Sequence, residues 1–394
     1  MKILYKNMGF GGGAPRSLLQ YVKIAKKNKI EVVVVGQQTY DPKNYRLFNI
    51  SLLNLPYFKL NKPLYSFILL NKYLKIIRNE KPNIIHATTT VNCYFHKVVS
   101  DLTNIPIIYN IPGGQISKQT AKIMNNKKIL VYSEENKIDL MKYGHEEDKI
   151  NVISNRIDTS KSNDEYKSKY NLIHKKNFLI KILLISRFSE GNIKSIKYTI
   201  ELITKLKKDG INVRLDILGD GEHYEKVNQK VEKLNRSFKE NIVYLHGFVD
   251  DPTKYIIKSH IVFGKGRSVI DGILNNRLAF VVTENKTMCL CNENNFENLR
   301  RYNFTGRELK VIFTYKEMLK LIKSLSKNNF NIDFLPEFKE KTKKFYDIKF
   351  AEEKIIKLYR NVNFTSVNYK PKFVFILIKY IKFYIRIIST KIML

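Results

Sequence analysis

The stretch Phe263-Gly264-Lys265-Gly266-Arg267-Ser268-Val269-Ile270-Asp271 decides the fold, together with its continuation Gly272-Ile273-Leu274-Asn275-Asn276 and the apolar run 278–282. A short apolar strand over 260–263 precedes it, a helix-length segment follows, and a second apolar strand closes it. Strand, Gly-x-Gly turn, helix and strand make a βαβ unit. Its turn presents backbone N–H groups at a helix N-terminus, where an anion is favoured. Arg267 stands in the first turn of that helix and Asp271 one turn on, so both project from one face. A cation and a carboxylate over such a site suit a ligand with both phosphate and ribose hydroxyls. The same residues would also make an ordinary glycine turn with a surface ion pair, since Gly-x-Gly alone is a weak signal.

At 394 residues the chain exceeds one typical core, so two domains are expected. The charge balance is the outlier, with 70 Lys+Arg against 36 Asp+Glu and a net charge of +34. Such a field favours anionic partners: nucleic acid, nucleotide substrates or anionic lipid. Part of the Lys excess accompanies abundant Ile and Asn, the composition of an AT-rich genome, so placement of charge says more than its sum. Of the three cysteines, Cys289 and Cys291 are spaced C-x-C and Cys93 is distant. An odd count gives no disulfide framework, and no second pair completes a zinc set. Free thiols in a reducing cytoplasm, with no metal and no cofactor, are the expectation. The N-terminus begins a strand directly, with no signal peptide. No apolar run approaches the ~18 residues needed to span a bilayer.

In chain order, 3–5 reads as a first strand. Gly9-Phe-Gly-Gly-Gly13-Ala-Pro-Arg16 then forms a Gly-rich turn into a helix with Leu18, Leu19 and Val22 on one face. Three consecutive glycines let another molecule approach the backbone, so Gly12 and Gly13 read as ligand-facing, the alternative being a merely flexible loop. The run 32–36 is β-branched and suits a parallel sheet covered on both faces. Residues 64–80 read as a helix and 84–87 as a strand, with His86 at its C-terminal end, where open α/β sheets bind ligands. A lone His is more often structural. Residues 105–114 read as strand and turn, ending at Gly113 and Gly114. Residues 128–132 read as a strand, and Ser133 caps the next helix. The Ser-, Asn- and Lys-rich segment 159–176 reads as a linker. Beyond it the alternation restarts, with strands at 180–186, 215–218, 242–247, 260–263, 278–282 and 309–314, and helices at 195–206, 222–234, 252–259, 295–301 and 315–325. Two doubly wound Rossmann-like α/β domains facing a cleft are the expected architecture. They occupy residues 1–158 and 177–344, and 345–359 reads as a further helix.

Residues 370–394 carry only positive charges. Lys372, Lys379, Lys382 and Arg386 are spaced 7, 3 and 4 and fall on one helical stripe, with Ile, Phe, Tyr, Leu and Val between them. Such a segment suits the interface of an anionic bilayer. The alternative is a terminal helix packed on the protein with its basic residues outward.

The order of these turns resembles the GT-B glycosyltransferases, in particular the retaining family-four type that uses nucleotide-sugar donors. The likeness runs over most of residues 1–360. Gly11-Gly-Gly13 with Arg16-Ser-Leu-Leu resembles the family's opening, and Ser133-Glu-Glu with Asn155-Arg-Ile-Asp158 resembles the motifs before its linker. Ser186-Arg187-Phe, Leu218-Gly219-Asp-Gly-Glu222 and His246-Gly-Phe-Val-Asp250 resemble three motifs of its second domain. The resemblance implies that Arg187 and a following lysine hold the donor diphosphate and act catalytically. The lysine's position falls on Asn192 or Lys194, of which Lys194 is preferred. It implies donor contacts from Gly12, Gly13, Gly219, Gly266, Arg267 and Ser268, and ribose contacts from Asp271. His86, Gly113 and Arg16 would lie near the sugar or acceptor. It also implies a helix over 345–368 returning to the N-terminal domain, with the basic segment at 369–394. Two departures stand out. Phe263 replaces the first of the family's paired glutamates, and Asn110-Ile-Pro112-Gly-Gly114 replaces its His-Gly.

The expected function is therefore retaining transfer from a UDP- or GDP-sugar to a glycan or lipid-linked acceptor in surface polysaccharide or glycolipid synthesis. The expected location is cytoplasmic, peripheral on the inner face of a bacterial cell membrane. A catalytically degenerate GT-B scaffold subunit is the alternative that Phe263 and Pro112 motivate. Nucleic-acid binding lacks a helix-turn-helix, RRM or zinc pattern.

Overall fold

A computed structural model describes residues 1–6, 13–36, 52–55, 59, 61–88, 93–154, 156–162, 178–310, 312–326, 332–362 and 367–389. The chain divides into two compact units, Met1–Ile157 with Ile348–Leu394, and Asp158–Asp347.

The first unit begins β1 (Lys2–Lys6), α1 (Gly13–Lys27), β2 (Glu31–Gly36), β3 (Leu52–Asn54), α2 (Pro63–Glu80) and β4 (Ile84–Thr88). It continues α3 (Cys93–Thr103), β5 (Ile107–Ile111), α4 (Lys118–Ile123), β6 (Lys128–Val131), α5 (Glu134–Lys142) and β7 (Ile150–Val152). The seven strands form one parallel sheet in the order β3-β2-β1-β4-β5-β6-β7. Its strands are mostly apolar because both faces are covered. Leu4, Val35, Ile85, Tyr109 and Val131 pack with α2, α3 and α4 on one side. Ile3, Tyr5, Val34, Ile84, Ile108 and Leu130 pack with α1 on the other. Each such side chain fully buried contributes about 1.5–3 kcal/mol. Pro63 opens α2 with its ring preset to helical φ, and Lys81 closes it in a left-handed cap donating to the Ile77 carbonyl. Ser133 caps α5 by accepting from the Asn136 N–H.

The second unit runs β8 (Ile180–Ile185), α6 (Glu190–Lys208), β9 (Val213–Leu218), α7 (Tyr224–Phe238), β10 (Val243–Leu245), α8 (Thr253–Lys258) and β11 (Ile261–Gly264). It ends α9 (Arg267–Leu274), β12 (Leu278–Val282), β13 (Met288–Leu290), α10 (Phe296–Arg301), α11 (Tyr315–Ser326) and α12 (Phe334–Tyr346). Its sheet has the order β10-β9-β8-β11-β12-β13, parallel except for the antiparallel edge strand β13. The chain then returns to the first unit as α13 (Glu352–Arg360) and α14 (Phe373–Ser389).

Several elements depart from expectation. The strand expected over 309–314 is irregular in its described residues. The sixth strand is Met288–Leu290, which pairs with β12 and receives the Phe313 N–H on the Met288 carbonyl. Met288 and Cys289 point to opposite faces of this edge strand and both are buried, so it is covered on both sides there. The helix expected over 345–359 is broken at Asp347, whose carboxylate accepts from the Thr159 hydroxyl at 2.5 Å. The sequence boundaries at 158 and 344 compare with 157 and 347 in the structure. Most of the expected linker 159–176 lies outside the described residues.

The 370–394 segment is helical over Phe373–Ser389. One edge of that helix docks on the first unit through buried Ile376, Tyr380 and Phe383, with Phe67 of α2 against Phe373 and Tyr380. The opposite edge leaves Val374, Leu377, Ile378, Ile381 and Ile385 exposed. The docked edge matches the expectation of a terminal helix packed on the protein, and the opposite edge is an exposed apolar face. Among the described residues, no helix is long and apolar enough to cross a membrane.

Candidate active site

In the second unit the strand order reverses between β8 and β11, which makes that gap the topological switch point where open α/β sheets bind ligands. The two strands end level, Ile185 opposite Gly264. The β8 turn carries Arg187, which is exposed, and leads into α6. The β11 turn carries Lys265 and Gly266 and leads into α9.

The β8 turn is held by its neighbour after β9. Ser186 and Phe188 donate their N–H groups to the carbonyls of Leu218 and Asp220, and His223 donates to Phe188. Gly219 has φ +145°, and a Cβ there would stand 1.8 Å from the Ser186 carbonyl oxygen. Its own N–H donates to Gly247 at 2.8 Å. Gly219, expected as a donor contact, packs directly beneath the Arg187 turn. Glu222 accepts from the Glu190 N–H at 3.0 Å and so places a carboxylate on the first turn of α6.

The β11 turn is equally tight. Lys265 N–H donates to Ser268 Oγ at 3.2 Å, and the Ser268 hydroxyl donates back to the Lys265 carbonyl at 3.0 Å. A Cβ on Gly264 would lie 2.2 Å from Ser268 Oγ. Gly266 takes φ 58° and gives its N–H to Phe304 at 2.7 Å. Gly266, expected as a donor contact, therefore has its amide engaged by the Phe304 carbonyl. Asn303 and Phe304 hold left-handed backbones in the segment that accepts it. The first α9 ladder bond is Ile270 N–H to Gly266, so the amides of Arg267, Ser268 and Val269 precede the ladder and mark its anion-favouring end. Arg267 Nε lies 3.5 Å from Asp271 Oδ2, both side chains only 11% exposed. The i, i+4 geometry read from the sequence is thus present and largely desolvated.

Lys194 is exposed on α6, whereas Asn192 turns towards the β11 loop. Lys265 Nζ reaches Glu284 Oε1 at 2.9 Å and Asn192 Oδ1 at 3.4 Å. Sequence reasoning missed Lys265 and Glu284, although Lys265 stands between the two glycines of the turn. Phe263 is fully buried and packs edge-on against Phe280, 5.3 Å between centroids, so a core aromatic stands where the resemblance implies a glutamate.

In the first unit His86 sits in the middle of β4, not at its end. Its ring is fully buried, with Nδ1 2.9 Å from the Tyr359 hydroxyl, and burial lowers its pKa to about 3. The expected sugar or acceptor contact is therefore corrected to an interior polar link. Gly113 and Gly114 adopt positive φ after β5, and Asn136 Nδ2 holds the Gly114 carbonyl at 2.7 Å. Arg16 is half-buried on α1. Gly12 lies outside the described residues, and Gly13 opens α1. Among the described residues no cluster of His, Cys, Asp or Glu could hold a metal ion.

Comparison with known proteins fits this arrangement. Residues 11–161 match the family model described as Glycosyltransferase Family 4, and residues 180–263 match that of Glycosyl transferases group 1. The chain belongs to the GT-B glycosyltransferases of the family-four type. An uncharacterized glycosyltransferase of Methanocaldococcus jannaschii is 27% identical over 259 residues, 63% of this chain and 59% of that protein. The match thus spans under two thirds of that relative's length. Among solved structures, this family-four chain is similar to Anabaena HepE in complex with UDP and glucose, with TM-score 0.68 and 14% identity over 92% of this chain and 100% of that one. It is also similar to Staphylococcus aureus TarM in complex with fondaparinux, α-GlcNAc-glycerol and UDP, with TM-score 0.62 and 16% identity over 91% and 99%. At these identities the likeness to the solved structures is one of fold.

Proposed function

We propose that the chain is a retaining glycosyltransferase that moves a sugar from a UDP- or GDP-sugar to a glycan or lipid-linked acceptor. The carrying observation is the pairing of Arg267 with Asp271 at the anion-favouring end of α9, beside the switch point. The UDP complexes of HepE and TarM, which share the fold, support a nucleotide donor. In this reading Asp271 accepts from the ribose hydroxyls. Arg187 faces charge that grows on the diphosphate as the glycosidic bond breaks, and a positioned cation is most effective there. The departing phosphate then takes the acceptor's proton on the same face, so the chain supplies no nucleophile.

The exposed edge of α14 supports a peripheral location on an anionic membrane surface, the cytoplasmic face being the one rich in such lipid. Leu64 and Ile68 of α2, flanking the docked Phe67, extend that apolar exposure. Phe263 in the core favours the second reading, a scaffold that has lost part of its sugar site.

The test is thermal stability of the purified protein with UDP, GDP and CDP and their sugars, beside Arg187→Ala and Asp271→Ala. A ligand that binds only the folded state raises the midpoint by mass action. A shift with one nucleotide, lost in both variants, is the expected result. No shift with any of them in folded protein leaves the scaffold.

A further inference from the structure

We propose that Lys265, on the turn between β11 and α9, is the lysine that neutralises the donor diphosphate, in place of a lysine on α6. The inference rests on the nucleotide-sugar reading above and names the residue that gives it electrostatic force.

Position is the first argument. Ile185 and Gly264 are level in register, so Arg187 and Lys265 follow the ends of the two strands that flank the switch point. A ligand in that crevice lies over both turns. The second argument is rigidity. Lys265 is held at its backbone by two hydrogen bonds with Ser268, and Gly264 beside it has no room for a side chain. A cation on a fixed turn loses less freedom on binding than one on a free stem.

The third argument is what surrounds the ammonium. It lies 3.4 Å from Asn192 Oδ1 on the first turn of α6, so it already occupies the space over that turn. That turn also carries the Glu222 carboxylate on the Glu190 N–H. An incoming diphosphate therefore meets an anion at the start of α6 and needs a cation from elsewhere. Lys194, one turn along, is exposed. Glu284, from the loop after β12, holds Lys265 at 2.9 Å with its carboxylate 44% exposed. A diphosphate carries more charge than this half-solvated carboxylate and offers more acceptor oxygens, so it takes over the ammonium while Glu284 turns to water.

Calorimetric titration of the full chain with UDP and with uridine, or with GDP and guanosine if GDP is the nucleotide bound, separates the phosphate contact from the base. Lys265→Met should weaken the diphosphate at least tenfold and leave the nucleoside within twofold. Lys265→Arg should recover most of the loss, and Lys226→Met on exposed α7 controls for net charge. Unliganded melting points within a few degrees of wild type certify the fold of each variant. Diphosphate binding by Lys265→Met within twofold of wild type overturns the inference, as does a tenfold loss found in Lys194→Met instead. Wild-type protein that binds no nucleoside diphosphate overturns the nucleotide-sugar reading itself, a result distinct from either.

Discussion

The Tyr359 hydroxyl on α13 stands 2.9 Å from Nδ1 of His86 in the middle of the first unit's sheet, and 2.9 Å from the Tyr5 hydroxyl on the neighbouring strand. A helix near the C-terminus thus supplies a polar partner inside a domain built from the first 157 residues. The imidazole also stacks with Tyr21, 5.8 Å between centroids. Burial raises the pKa values of Tyr5, Tyr21 and Tyr359, so the cluster stays neutral.

Tyr359→Phe should therefore destabilise the first unit by about 1–3 kcal/mol, because His86 and Tyr5 both lose a buried partner. Urea unfolding followed by circular dichroism measures this. A change below a few tenths of a kcal/mol would show that the hydroxyl network contributes nothing.

Stability should fall as pH drops below about 6.5. Burial lowers His86 and His96 to about 3, and among the described residues neither ring nitrogen of His96 has a hydrogen-bond partner. Between those values the unfolded chain binds a proton at each site and the folded chain does not. Each His then removes roughly 1.4 kcal/mol per pH unit. His96→Phe keeps a ring against Tyr73 and should flatten the slope between pH 6.5 and 5 by about that amount. An unchanged slope contradicts the assignment.

Gly219→Ala should cost more than about 3 kcal/mol, since its Cβ would meet the Ser186 carbonyl at 1.8 Å in a positive-φ backbone. Gly191→Ala, with nothing within 4 Å among the described residues and a place in α6, should be neutral or stabilising by up to about 1 kcal/mol. Melting temperatures of the pair decide this, and equal values would refute the packing argument.

Arg187→Ala should lower kcat roughly 10²–10³-fold with a smaller change in KM, if the guanidinium acts on charge that develops during transfer. Steady-state donor turnover tests it. A rise in KM at constant kcat would assign Arg187 to ground-state binding alone.

Replacing Ile378, Ile381 and Ile385 by Ser should abolish sedimentation with anionic vesicles while α14 stays docked through Ile376, Tyr380 and Phe383. Wild-type binding should weaken with salt, because Lys372, Lys379 and Lys382 add electrostatic attraction. Vesicle binding that survives the triple substitution would place the contact elsewhere.

The sequence by itself determined the two parallel α/β layers. Apolar β-branched runs alternating with helical periodicity leave a chain few other ways to bury both faces of a sheet, as at 32–36 and 278–282. It also determined the Arg267–Asp271 pair, because i, i+4 spacing is a local property of the helix. Tertiary structure alone decided which charges share the switch point. Lys265, Asn192 and Glu284 are far apart in the chain, and only the order β8-β11-β12 brings their loops together. It also decided the fate of His86 and Gly266. A strand position reads the same whether its side chain meets a ligand or Tyr359, and an amide's partner, here the Phe304 carbonyl, lies on a loop that no local pattern announces.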